Sequence, residues 1–173
     1  MIAYYDGEPK LDAGGTPYGV EYGYKNRKGM TVIKPMYDIA SNFYDGSAVV
    51  ATGISMSNSR VSMDNAVFKL IDANGNTVRQ FPKHAHLLDL TTFHDPGRNN
   101  DRELSYLINI VIHQEQQWGC INRKGQVVVP LIFSKPIIFH ENLAAVSKWP
   151  GNSMVTRNPA QAQEWLKMFG KVG

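Results

Sequence analysis

The chain has a single cysteine, Cys120, among 173 residues. That count excludes an internal disulfide framework. Charge is scarce too: 19% of residues are Asp, Glu, Lys or Arg, below the roughly 25% usual for soluble domains. So little charge excludes the disordered class, which is rich in it. The formal balance is +3, from 18 Lys and Arg against 15 Asp and Glu. The excess is spread along the chain, without the concentrated basic stripe of nucleic-acid binders. No apolar run reaches the roughly 18 residues of a membrane span. Met1 to Asp12 lacks the basic stretch and apolar core of a secretory signal. The expectation is a soluble chain, cytoplasmic unless a leader has been removed, and then periplasmic. There is no phosphate-cradling glycine loop, no GxSxG and no HExxH. What is present is globular: 43% hydrophobic residues, in a chain long enough to bury roughly 70% of its unfolded surface without staples.

A repeat organises that length. Tyr22-Gly23-Tyr24-Lys25-Asn26-Arg27-Lys28-Gly29 recurs as Trp118-Gly119-Cys120-Ile121-Asn122-Arg123-Lys124-Gly125, an offset of 96. From Tyr22 to Ala51, nine of thirty positions are identical at that offset, against about two by chance from average residue usage. A middle copy, Phe68-Lys69-Leu70-Ile71-Asp72-Ala73-Asn74-Gly75, places its glycine 46 after Gly29 and 50 before Gly125. It loses the pattern after Val78 and carries an insert, His84 to Glu103.

The copies read as strands and turns. Tyr18, Val20, Tyr22 and Tyr24 alternate with polar or small residues, the period of a half-buried strand. Asn26 to Gly29 and Asp72 to Gly75 read as hairpin loops, with Asx first and glycine last. Thr31-Val32-Ile33 and Val127-Val128-Val129 are β-branched return strands. Pro35 and Pro130 then interrupt the ladder, because proline cannot donate to it. About 17 residues precede the first unit as a lead-in, and Ser55 to Arg60 reads as a flexible stretch. Near the end, Asn158 as N-cap, Pro159 and the apolar face of Ala162, Trp165, Leu166 and Phe169 predict a helix over 158–169.

These residues resemble the bacterial WG-repeat family. Its unit runs aromatic-Gly-x-x-Asx-x-x-Gly, β-branched strand, Pro, Tyr-Asp, Phe, acidic-Gly-Leu-Ala-x-Val. The first copy has Tyr22-Gly23, Asn26, Gly29, Pro35, Tyr37-Asp38, Phe43, Asp45-Gly46 and Ala48-Val49-Val50. The third has Trp118-Gly119, Gly125, Pro130, Phe139, Glu141 and Leu143-Ala144-Ala145-Val146. It departs at Asn142 and at Phe133-Ser134, and the middle copy has Phe68-Lys69 in place of aromatic-Gly. The expected fold is mainly β: three β-hairpin or meander repeats, about 18–60, 64–113 and 114–150, in one antiparallel array. It would hold roughly nine to eleven strands, shaped as a partial propeller or a barrel-like sheet, with the C-terminal helix covering one end. The whole, 1–173, is a single domain. Such repeats occur in bacterial proteins, some near toxin and secretion systems, so the resemblance implies interaction and not chemistry.

The repeated aromatics Tyr22 and Trp118 read first as core residues, and their glycines as points of close backbone approach. Cys120 occupies the slot of Tyr24 and Leu70, an inward apolar slot, so it reads as a small hydrophobe and not a nucleophile. His84 and His86 share a face if they lie on a strand, but no third ligand stands at a diagnostic spacing. No metal site and no cofactor is expected. Arg27-Lys28 and Arg123-Lys124 put cations beside glycine amides, where a phosphate could sit; the middle copy has Ala73-Asn74, so they read as solvated turns. What breaks the repeat carries the functional expectation, since binding residues concentrate on loops held by a rigid scaffold. Phe93, His94, Asp95, Arg98, Asp101 and Arg102 in the insert, with Trp149 beyond the third copy, are the candidate partner-binding residues. Arg and aromatics are the usual anchors of interfaces. The reading is a non-catalytic protein-binding module that takes a protein partner. In its most concrete form it is an immunity protein neutralising a toxin or secreted effector. One alternative is a small-molecule or glycan binder lined by Tyr22, Tyr24 and Trp118. A second is a metal-dependent hydrolase using His84, His86 or His94 with Asp95.

Overall fold

A computed structural model describes residues 1–88, 107–112, 116–137, 139–140, 143–144 and 146–147. These residues form strands and turns only. In chain order the strands are β1 (Ile2–Asp6), β2 (Lys10–Leu11), β3 (Pro17–Tyr18), β4 (Glu21–Lys25), β5 (Thr31–Tyr37) and β6 (Ile39–Ala40). Next come β7 (Ser47–Thr52), β8 (Ser55–Ser57), β9 (Arg60–Ser62), β10 (Val67–Asp72), β11 (Thr77–Gln80) and β12 (Ala85–Leu88). The last are β13 (Leu107–Ile112), β14 (Gln117–Asn122), β15 (Val127–Phe133), β16 (Phe139–His140) and β17 (Leu143–Ala144).

All pairings are antiparallel. One sheet runs β1-β4-β5, a second β11-β10-β7-β6 and a third β12-β13-β14-β15. The pairs β2-β3, β8-β9 and β16-β17 stand as separate hairpins. The mainly β expectation holds. The barrel-like closure does not: among the described residues the strands divide among separate open sheets. The strands also exceed the expected number, because short two- and three-residue pairs sit between the long ones. The helix expected over 158–169 lies outside the described residues.

The division has a local cause. Each four-stranded sheet joins strands from two copies: β6 and β7 end the first copy and pair onward to β10 and β11 of the second. Likewise β12 and β13 pair onward to β14 and β15 of the third. Two corrections follow. The lead-in is not a bare leader, since β1 pairs along all five residues with β4. The insert beginning at His84 opens with a structural strand, β12, whose Ala85 and Leu87 are buried in the larger core.

Two apolar clusters fill the space between sheets. The larger gathers Phe68, Leu70, Phe81, Ile108, Ile110 and Ile121 between the second and third sheets. The smaller gathers Tyr24, Ile33, Tyr37, Val50 and Ile71 between the first and second. Strand alternation aims these residues inward.

The register explains the aromatic-Gly signature. Tyr22 pairs with Tyr37 and Tyr24 with Ile33, so Gly23 faces a bulge of three residues, Lys34-Pro35-Met36. Trp118 pairs with Phe133 and Cys120 with Val129, so Gly119 faces Pro130-Leu131-Ile132. A Cβ on Gly23 would lie 2.5 Å from the Ile33 carbonyl oxygen, and one on Gly119 2.6 Å from that of Val129. The bulged backbone leaves no room for a side chain. The middle copy has Lys69 there and no such bulge: Lys69 pairs directly with Gln80. Phe81 stands where Pro35 stands, and its N–H donates to the Phe68 carbonyl at 2.9 Å, a bond that proline cannot make. Glycine and the proline bulge therefore occur together or not at all.

Candidate functional site

The residues expected to carry binding (Phe93, His94, Asp95, Arg98, Asp101, Arg102 and Trp149) lie outside the described residues. So does Asp89, the first carboxylate in sequence after the His84-His86 pair. His84 and His86 are described and stand apart in role. His84 has a left-handed backbone, φ 72, in the turn before β12. His86 lies on β12, its ring 5.4 Å from the ring of buried Phe68. Among the described residues no group of three His, Cys, Asp or Glu could hold a metal ion.

The hairpin tips use their own amides. Asn26 Oδ1 accepts from the N–H of Lys28 and of Met30, at 2.9 and 3.1 Å. Asn122 Oδ1 accepts from Lys124 and Gln126, both at 3.0 Å. Asp72 Oδ1 accepts from Asn74 and Asn76, both at 2.9 Å. A phosphate at these tips would find the amides already engaged. The same turn occurs a fourth time, where the sequence reading saw only lead-in: Asp12 Oδ1 accepts from Gly14 and Thr16 at 2.8 and 2.7 Å. The Asx-x-x-Gly spacing of Asp12 and Gly15 was the available signal. All four turns close on a glycine in the left-handed region, Gly15, Gly29, Gly75 and Gly125, with φ from 76 to 85.

The aromatic and thiol candidates are accounted for by packing. Tyr24 is fully buried, its hydroxyl donating to the Ser41 carbonyl at 2.8 Å, so it lines no pocket. Tyr22 is half-buried and meets Tyr5 edge to face at 5.5 Å; loss of solvent raises its hydroxyl pKa. Trp118 is half-buried on β14. Cys120 is fully buried. Burial pushes its thiol up to about 12, so at neutral pH it carries its proton and is no nucleophile.

A concave feature lies among the described residues away from these positions. A groove of about 230 Å³ runs between β3, β6 and the β8-β9 hairpin. Pro17, Tyr18, Ile39, Ile54, Met56 and Met63 give it an apolar lining. The stretch read as flexible, Ser55 to Arg60, forms one wall as a hairpin turned by Asn58 and Ser59, φ 50 and 60. Two aspartates set the walls. Asp38 Oδ2 accepts from the N–H of Gly53 and Ile54 at 2.7 and 3.1 Å, holding the entry to β8. Asp12 Oδ2 accepts from the N–H of Val61 at 2.9 Å, while Ala13 N–H donates to the Ser59 carbonyl at 2.9 Å. Those bonds seat the β2-β3 turn against β9. The hydrogen bond from Val61, followed by that from Thr16, holds the Asp12 carboxyl below its ordinary value.

Asp38 is the one carboxylate on the lining, and one of its oxygens serves two amides. The other polar side chains on the lining are the hydroxyl-bearing Thr16, Tyr18 and Ser55, and the rest of the lining is apolar apart from Gly19. Met56 on its rim is 43% exposed, and thioether side chains adapt to varied apolar surfaces.

Comparison with known proteins adds one finding. Residues 22–53 and 118–148 match the family model for the WG containing repeat. No curated protein and no solved structure matches the chain.

Proposed function

The chain is a WG-repeat protein, and we propose that it is a non-catalytic protein-binding module, most concretely an immunity protein that neutralises a bacterial toxin or secreted effector. The observation that carries this reading is the apolar groove walled by the β8-β9 hairpin, with Met56 exposed at its rim. A soluble protein that presents a lined apolar hollow bounded by irregular hairpins has the form of a receptor for a side chain of a partner. The volume, about 230 Å³, suits one bulky apolar side chain and is below the range of pockets for drug-sized ligands. Phe93, Arg98 and Trp149, outside the repeat, would supply further anchors of the types common at interface hot spots. On this reading the three sheets are successive blades of a partial propeller, and the apolar face of residues 158–169 covers one end.

The test is recovery of a defined partner from the native host with the tagged chain, followed by quantitative binding with purified components. Met56→Asp and the triple change of Phe93, Arg98 and Trp149 to Ala should each weaken that complex about tenfold or more. A complex that ignores every one of these changes sinks the reading. A thermal-shift screen gives the other arm. A sugar or metabolite that raises the melting temperature by mass action, with no protein partner recovered, favours a small-molecule binder.

A further inference from the structure

Among the described residues the first sheet is one strand short of its siblings. The second sheet continues from β10 through β7 to β6, and the third from β14 through β13 to β12. The first continues from β4 to β1 and stops there among the described residues. Register shows that β1 holds the place of β7 and β13. Ala3 pairs with Tyr24 as Val49 pairs with Leu70 and Asn109 with Cys120. Tyr5 therefore stands where Ala51 stands.

That position has an outward backbone. The Ala51 carbonyl accepts from Asp38 N–H at 2.9 Å, on the side away from β10. At the same place in the third copy the Ser147 carbonyl accepts from Ser134 N–H at 2.8 Å. In β1 the outward N–H of Ala3 already meets Asn42 Oδ1 at 3.2 Å. Strand alternation then turns the N–H and carbonyl of Tyr5 to the same open side. The edge Ile2-Ala3-Tyr4-Tyr5-Asp6 contains no lysine, no proline and no bulge, devices that blunt a free edge, and its one charge, Asp6, stands at the end of the strand. Ile2 and Tyr5 are 63% and 47% exposed on it.

We propose that this edge is a self-association surface: two copies of the chain pair antiparallel through β1, with Tyr5 facing Tyr5 of the second copy across a two-fold axis. A two-fold centred on Tyr5 gives a reciprocal pair of N–H to carbonyl bonds at one residue. It leaves the Asn42 contact on Ala3 in place. The two tyrosine rings become a direct cross-strand pair, a favourable arrangement for aromatics, each already set edge to face on its own Tyr22. The three-stranded sheets merge into one of six strands, and the interface is isologous and closes at the dimer. None of the groove residues lies on β1, so this inference stands or falls apart from the proposed partner.

Sedimentation velocity of the full chain over a micromolar concentration series tests it. The native chain should shift from monomer to dimer and no further. Tyr5→Lys places like charges opposite one another across the axis and should weaken the dimer about tenfold or more, with an unchanged circular dichroism spectrum. In Tyr5→Cys, a short bis-maleimide should link two chains at that residue, while buried Cys120 stays unreacted. A native chain that is monomeric throughout overturns the proposal. So does a dimer that Tyr5→Lys leaves intact and Tyr5→Cys fails to cross-link.

Discussion

At the head of three of the four turns, the choice between Asp and Asn matches what the second side-chain atom meets. Asn122 offers an Nδ2 that donates to Gln126 Oε1 at 2.9 Å. Asp72 offers an Oδ2 that accepts from Asn76 Nδ2 at 3.0 Å, and Asp12 an Oδ2 that accepts from Val61. For both aspartates, hydrogen bonds favour the charged form and lower the pKa: the Asn76 side chain foremost at Asp72, and Val61 N–H at Asp12. A depressed pKa in the folded state contributes stability that is complete above the unfolded value of 3.8 and lost as pH falls through the folded value. Stability should therefore hold from neutral pH down to the ordinary aspartate range and decline below it. Urea midpoints against pH for the native chain and Asp12→Asn measure this; the variant should show a shallower acid decline and a lower midpoint at neutral pH, because with its Oδ1 kept on Gly14 and Thr16 the Nδ2 that replaces Oδ2 cannot accept from Val61 N–H. A second exchange concerns the core. The first sheet has Ala3 beside Tyr24, whose hydroxyl pins Ser41; the third sheet has Asn109 beside Cys120. There Asn109 Oδ1 accepts from Ile137 N–H at 2.8 Å and Nδ2 donates to the Ile137 carbonyl at 3.0 Å, at the position Ser41 holds. A large residue and a small one have traded strands, and the anchoring bond has moved with the polar atom. Asn109→Ala should cost about 1–3 kcal/mol in urea unfolding, since it leaves buried groups of Ile137 unpaired.

At the level of elements, the hairpin tips are the joints between sheets. Gly75 seats against the Ile33 side chain, where an added Cβ would lie 3.3 Å from Cδ1. Gly125 seats against Arg79, 2.7 Å from Cδ by the same measure, and its carbonyl accepts from Arg79 Nη1 at 2.6 Å. Ile33 and Arg79 each lie four residues beyond the glycine of their own turn, so one contact is used twice, apolar first and charge-assisted second. Arg79→Ala should lower stability by about 1.5–3 kcal/mol, the range for a hydrogen bond to a charged group, read from the urea midpoint. Gly119→Ala should cost about 1–3 kcal/mol by overpacking against the bulge, whereas Lys69→Ala, opposite no bulge, should change little. The strands and turns of the first and third copies were legible because alternation and the Asx-x-x-Gly spacing are local signals. The Asp12 turn is hard to read from sequence because its flanking strands, Lys10–Leu11 and Pro17–Tyr18, are too short to show any period. The role of β12 was hidden for a different reason: Ala85 and Leu87 alternate as a strand should, but their partners on β13 lie past the insert. The groove was illegible because Tyr18, Ile39, Ile54 and Met63 meet only after the two aspartates have seated their turns.

At the scale of the whole molecule, the way strands are shared decides how the chain unfolds. A repeat that kept its strands to itself could open copy by copy, as stacked arrays do when their interfaces are weak. Here no four-stranded sheet belongs to one copy. The second sheet needs β7 from the first copy and β10 from the second along six paired residues, and the third needs β13 and β14 along another six. The two clusters interlock as well, because Val49 and Val50, adjacent on β7, point into different cores. Unpairing the second sheet exposes apolar surface on both of its faces, and losing the first or the third uncovers the cluster it shares with the second, so partial opening is costly wherever it starts. The described part of the chain should unfold in a single transition. With Trp149 and Trp165 replaced by Phe, Trp118 alone reports on the third sheet by fluorescence, while circular dichroism at strand wavelengths reports on all of them. The two urea curves should coincide. Gly23→Ala in the first sheet and Asn109→Ala in the third should shift that one transition by amounts that add within about 0.5 kcal/mol, as separated sites do. Curves that separate, or a Gly23→Ala change that circular dichroism registers and Trp118 does not, would show that the copies open independently and that the shared strands do not couple them.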